Sequence, residues 1–321
     1  MMAGAKIAVS LGAVIYLWWI ADNGRLWQWF ARIDVWHWGL AMVLVGGTFL
    51  IGAWRWRLLL AAHHTAPGYW RLFPSYYLGL LFNQILPTGI AGDVVRTACL
   101  HQQGLAAEPL IASAVAERVV GLVVVVVLCV VLWVAGRMVN LPPGVGAALV
   151  AVTLFMVVAL WFFTREKSLR MAESLAGSRL GQRRGKGILA VWRLCRRYAV
   201  DVRLMLAVGL ATVISVVLNS AAYFVLARAL GDQTPFGVYM LVVPLAMLAG
   251  NLPVSLGGLG VREGALAGLL VAVGVELELA VSLAFLYLAV LWSVTVPAVV
   301  VWVGDRLRAR REPRIDQRPF R

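Results

Sequence analysis

Residues 119–135, VVGLVVVVVLCVVLWVA, run for seventeen positions without a charged side chain. With the residues before them they form an apolar stretch, 108–135, long enough to cross the roughly 30 Å hydrocarbon core of a bilayer as a helix. A backbone in that medium must satisfy its own hydrogen bonds, so helices are the available solution. Comparable stretches recur at 5–21, 38–60, 144–164, 204–230 and 278–304. The chain is 62% hydrophobic, far above a soluble domain. These patterns predict an all-α polytopic membrane protein forming a single membrane domain over 1–321. The first apolar run, Ile7 to Ile20, has only Lys6 before it and no convincing small-residue cleavage site after it, so it reads as an uncleaved span.

Two regions, 72–103 and 237–273, break the pattern. Each holds two short apolar pieces separated by a Leu-Pro and a glycine-rich turn, NQILPTGIAGDVVR at 83–96 and NLPVSLGGLGVREG at 251–264. Proline removes a backbone donor and glycine permits positive φ, so Pro87, Gly89 and Gly92, and Pro253, Gly257, Gly258 and Gly260, are read as hairpin turns. The pieces are too short to span, which predicts two re-entrant helical hairpins beside six transmembrane helices.

Charge sets the orientation. Of 29 Lys and Arg, 11 lie in 165–203 and 7 in 306–321. Basic segments stay in the cytoplasm, so 165–203 is expected to be a cytoplasmic basic amphipathic segment and 306–321 a basic cytoplasmic tail. Both termini are then cytoplasmic if the hairpins enter from opposite faces. This clustering accounts for the net charge of +14 without nucleic acid. Ile188, Val191, Trp192, Cys195 and Tyr198 recur at helical spacing opposite Arg193, Arg196 and Arg197, the pattern of an interfacial helix lying on anionic lipid.

The two breaks match at an offset of 166: Leu86, Pro87, Gly92 and Arg96 onto Leu252, Pro253, Gly258 and Arg262. The same offset carries span 38–60 onto 204–226 and 108–135 onto 274–301. An inverted repeat of units 38–136 and 204–302 is expected, a plan of secondary transporters with a site near the midplane.

Asp93, Arg96, Glu117, Arg118, Arg262 and Glu263 fall within the apolar regions. Each would cost roughly 2.5–3.5 kcal/mol facing lipid at the bilayer centre, so they must face one another or a wet cavity. Asp93 and Arg96 are three apart and can pair. Glu117 and Arg118 are adjacent and need partners elsewhere, and Arg262 and Glu263 pose the same problem. Arg96 and Arg262, about one turn into helices that follow the glycine turns, suit a lipid phosphate near a positive helix end. Asn83 and Asn251, which open the motifs, complete the candidate substrate-binding set. No metal or cofactor is expected. Cys99, Cys129 and Cys195 lack metal-ligand spacing, and His37, His63, His64 and His101 read as interfacial polar residues, since the adjacent His63 and His64 point in different directions on a helix with no carboxylate near them in sequence. GGLGVREG lacks the preceding strand of a dinucleotide loop.

RWRLLL (55–60), NQILPTGIAGDVVR, AERVVGL (116–122) and NLPVSLGGLGVREG occur in an order that resembles the lysylphosphatidylglycerol synthase transmembrane region, also described as a flippase-like domain. The resemblance covers nearly the whole chain, and the second glycine motif with its Arg-Glu is its most specific part. It implies a bacterial cytoplasmic (inner) membrane protein that moves lipids. Relatives are linked to hopanoid handling and lipid-linked sugars. The six embedded charges match the family's polar positions. The best-known relative fuses this region to a cytosolic aminoacyl-transfer domain. This chain ends at Arg321 soon after its last span, so lysyl transfer is not expected. The leading expectation is a flippase, not an enzyme, carrying a phosphate-bearing phospholipid, hopanoid-type or polyprenyl-linked lipid by alternating access. The alternatives are an intramembrane enzyme, with Asp93 or Glu117 as acid or base, and a non-catalytic subunit in lipid or lipid-linked glycan modification. Membrane lipids are the expected partners. A second copy of the chain and a lipid-modifying enzyme are the protein partners left open.

Overall fold

A computed structural model describes residues 33–63, 66–86, 90–135, 144–166, 182–251 and 258–300, together with Gly12, Ile15, Ser168 and Glu173. The expected span at 5–21, apart from Gly12 and Ile15, and the tail 306–321 lie outside the described residues, as do the turn residues Pro87, Gly89, Pro253 and Gly257. The described residues form ten α-helices and no strand.

They follow a long, short, short, long order that occurs twice. The first set is α1 (Val35–Ala61), α2 (Tyr69–Ile85), α3 (Ala91–Gln102) and α4 (Ala107–Ala135). After α5 (Val145–Thr164) and α6 (Gln182–Val200) come α7 (Val202–Ala229), α8 (Phe236–Gly250), α9 (Val261–Ala272) and α10 (Leu277–Thr295). Five helices are long and apolar enough to cross a membrane: α1, α4, α5, α7 and Leu277–Val300, which extends α10 past a turn at Val296. At 1.5 Å per residue the 12 residues of α3 or α9 reach only about 18 Å.

The constant offset of 166 does not survive in the helix starts. α1 to α7 and α2 to α8 are 167 apart (35 to 202, 69 to 236), whereas α3 to α9 and α4 to α10 are 170 apart (91 to 261, 107 to 277). The difference arises in the turns, residues 86–90 against 251–260. Counted from the helix starts, Asp93 and Glu263 share the third position. Arg96 is the sixth residue of α3, while Arg262 is only the second of α9.

Glycine brings the short helices together. A Cβ on Gly79 would lie 2.7 Å from the Gly92 carbonyl oxygen, and one on Gly92 would run into the Gly79 carbonyl and the Asn83 side chain. Helices in apolar solvent pack closely where small residues let backbones approach. In the second pair, Gly258 has φ +86° and lies against Gly250, and the Gly250 Cα faces the Arg262 side chain.

The most extensive helix pair is α1 on α7. Around it α8, α9 and α10 contribute the main core, with Ala41, Val45, Leu226, Val242, Leu270 and Leu283 fully buried or nearly so. By contrast α5 is peripheral: Val150, Leu154, Phe155, Val158 and Trp161 are exposed, as expected of a lipid-facing span.

Most of the apolar stripe of helix α6 docks onto the bundle, while Ile188 at its start stays exposed. Tyr198, with Val191, Leu194 and Cys195, packs on Leu59 of α1, Ala112 and Ala116 of α4 and Val208 of α7. Cys195 Sγ donates to the Ala112 carbonyl at 3.6 Å, and Trp192 packs on Phe163 with ring centroids 4.6 Å apart. That contact appears only once the helices are assembled.

Candidate functional site

The embedded charges form two separate groups. The first joins α1, α3, α4 and α7. Asp93, in the first turn of α3, forms an ion pair through Oδ1 with Arg96 Nη2 at 2.8 Å and accepts from Arg118 Nε through Oδ2. Arg96 Nη2 also lies 2.7 Å from Glu117 Oε2, a close ion contact whose angle falls short of a hydrogen bond. Glu117 Oε1 accepts from Arg55 Nε (3.2 Å) and Nη2 (2.7 Å), and Arg55 Nη1 donates to Thr212 Oγ1 at 3.0 Å. Arg96 is 4% exposed, and its guanidinium lies over the rings of Trp56 (4.4 Å) and Tyr76 (5.1 Å), so part of its charge is met by π-faces. Trp56 is held in turn by donating Nε1–H to Ser113 Oγ at 2.9 Å.

Glu117 and Arg118 do find partners elsewhere, as adjacency requires. Arg55 was missed as a member: the sequence offers it only as one more basic residue near the end of a span. The signal was the buried Glu117, which lacked a full set of cations, and an arginine inside the apolar α1 could have filled it. Among the described residues, the five ionised side chains are three arginines and two carboxylates, a formal sum of +1. Arg118, whose side chain is 43% exposed, stands at the edge of the group.

The second group is smaller. Arg262 and Glu263, expected to need distant partners, pair with each other: Arg262 Nε and Nη2 donate to Glu263 Oε1 at 2.9 and 2.6 Å. This is possible because Glu263 folds back over the start of α9, where its Oε2 accepts the Gly260 amide at 2.7 Å. Gly260, at φ +82°, supplies the turn that puts the amide there. Arg262 also lies 5.9 Å from the Tyr287 ring, which stacks on Tyr223 at 3.8 Å and accepts from Asn219 Nδ2 at 2.8 Å.

Thus Arg96 and Arg262, both expected to suit a lipid phosphate, have disjoint ion partners, Asp93 and Glu117 for Arg96 and Glu263 for Arg262. One amide at the start of each of their helices is also taken by the protein's own groups. Asn83 Oδ1 accepts the Gly92 amide at 2.8 Å, and Glu263 takes the Gly260 amide. Asn251 is the exposed C-cap of α8. Gly258 and Gly260 are buried turn residues beside it, and Gly92 is the crossing point of α2 and α3. Among the described residues no group of three or more His, Cys, Asp or Glu side chains could hold a metal ion.

A family model described as the lysylphosphatidylglycerol synthase TM region matches residues 4–298. The chain belongs to that family. The matched range takes in both glycine-rich motifs and every charge of the two groups, on a helical membrane scaffold. No curated protein matches the chain.

Proposed function

We propose that the chain is a lipid flippase that carries a phosphate-bearing lipid across the membrane by alternating access, binding the headgroup phosphate at the edge of the first charged group. The observation that carries this reading is a set of five ionised side chains embedded among apolar helices, with the Arg118 guanidinium exposed at their edge. A guanidinium meets phosphate oxygens with fork geometry. The acyl chains then run along the exposed Val115, Val119 and Leu122 of α4, beside Arg118. Arg262, held by Glu263, orders the start of α9 instead of meeting the phosphate.

The repeated helix order supports six spans and two re-entrant hairpins arranged as an inverted repeat, with both termini cytoplasmic. Arg55 joins the first unit to α7 of the second through Thr212, a contact that rocking of the units would load or release. Cysteines placed at 231–233 are expected to label from outside, and those at 183–186 only after permeabilisation.

The test of the site is scrambling of a fluorescent phospholipid in proteoliposomes. Arg118→Gln should slow transport roughly ten- to a hundred-fold, the loss of one charge-assisted contact, while Arg262→Gln acts through stability. Wild-type transport by a folded Arg118→Gln protein would overturn the proposal.

A further inference from the structure

Because the apolar face of α6 is occupied by the bundle, its arginine face is held in a fixed direction. Arg193 and Arg197, one turn apart, are both exposed on the side opposite Val191, Cys195 and Tyr198. Val200 continues that exposed side to the end of α6, and α7 begins two residues later with exposed Val202 and Arg203. From there Val202, Leu206 and Leu210 recur every fourth residue on α7, all more than 60% exposed. α7 is one of the candidate spans, so this stripe faces acyl chains. A cationic face therefore runs directly into a lipid-facing apolar stripe, with the polar part at the end of the span. Trp192 on Phe163, and Arg165 beside Trp161 at 4.5 Å, place aromatic and basic groups at the end of α5 too, where aromatic side chains mark a membrane boundary.

We infer that the corner between α6 and α7 is a binding site for an anionic phospholipid of the surrounding membrane, its phosphate meeting Arg193, Arg197 and Arg203 and its chains lying on Val202, Leu206 and Leu210. Asp201 does not oppose this, because its carboxylate is turned onto the start of α7, accepting the Leu204 amide at 3.0 Å. Arg193 is shared with Glu173 at 2.8 Å on an exposed pair, a contact a phosphate readily displaces. The site stands apart from the charged group around Arg118 and does not depend on which lipid is carried. Its structural consequence follows from the packing of α6 on Ala112 and Ala116. A lipid that holds α6 in place also holds the turn of α4 just before Glu117 and Arg118.

The experiment is extraction of the full chain from equimolar phosphatidylcholine and phosphatidylglycerol bilayers, followed by mass spectrometry of the lipid retained. Wild type should retain phosphatidylglycerol over phosphatidylcholine by at least roughly five-fold, the contribution of one arginine near an anionic surface. The triple variant Arg193→Gln, Arg197→Gln, Arg203→Gln should fall back toward the bulk ratio, as should wild type extracted at high salt. Equal unfolding midpoints of the two proteins in neutral detergent show that the variant is folded. Arg118→Gln should keep the enrichment, which separates this site from the transport site. A wild-type ratio equal to bulk, or an unchanged ratio in a folded triple variant, overturns the inference and leaves these arginines as aqueous-facing topology determinants.

Discussion

Glu117→Gln is the sharpest probe of the first charged group. The wild-type carboxylate lies 2.7 Å from both Arg55 and Arg96, and side-chain exposure is 16% for Arg55 and 5% for Glu117 and Arg96. The substitution keeps the shape but changes the formal sum of the described group from +1 to +2 and removes the carboxylate that Arg55 and Arg96 share. Removing one partner of a buried ion pair costs about 3–5 kcal/mol, because the remaining charge stays desolvated. Reversible unfolding by SDS in mixed micelles, followed by intrinsic tryptophan fluorescence, measures the loss. Arg55→Gln alone brings the sum to 0 and should also destabilise. The double variant restores +1, so its loss should fall short of the two single losses added together by about 1–3 kcal/mol. Additive losses, or a Glu117→Gln loss below about 1 kcal/mol, would show that water reaches these groups and that the network does not hold the helices together.

Gly92→Ala should destabilise by about 1–3 kcal/mol in the same assay, since its methyl would meet the Gly79 carbonyl and Asn83. At the start of α1, the His37 amide and ring hold the Asp34 carboxyl below its ordinary value of 3.8. A depressed carboxylate stabilises above its unfolded pKa and loses the effect as pH falls through the folded value. Hydrogen exchange in the first turn of α1 should therefore be faster in Asp34→Ala at neutral pH, with the difference vanishing in strong acid. Burial pushes the Cys195 thiol up to about 11, so maleimide should label it poorly at neutral pH. Tyr198→Ala, which loosens α6, should raise that labelling, and unchanged labelling would place the cysteine's protection elsewhere.

The distance between legible and illegible features follows chain separation. Asp93 and Arg96 are three residues apart on one helix, and their pairing is readable from spacing alone. Arg55 and Glu117 are 62 residues apart, and Arg55 and Thr212 are 157 apart, so no local pattern connects them. Arg262 with Glu263 shows the opposite failure. Adjacent helical residues ordinarily point apart, and their pairing needed a carboxylate folded back onto a glycine amide at positive φ. Helix α6 repeats the lesson at larger scale, because an amphipathic pattern states that one face is buried without stating against what.

By itself the sequence determined the helical class, the placement of the long apolar segments, the two interrupted regions and the residues whose charge could not face lipid. These depend on local composition and on the solvent, since apolar length, proline and glycine act on their own stretch of backbone. Only the tertiary structure decided which charge met which, that Arg55 completed the set around Glu117, and that the two hairpin arginines served separate partners. Those outcomes depend on how rigid helices cross, and a crossing is settled by side-chain volume at contacts such as Gly79 with Gly92, between segments that the chain order keeps apart.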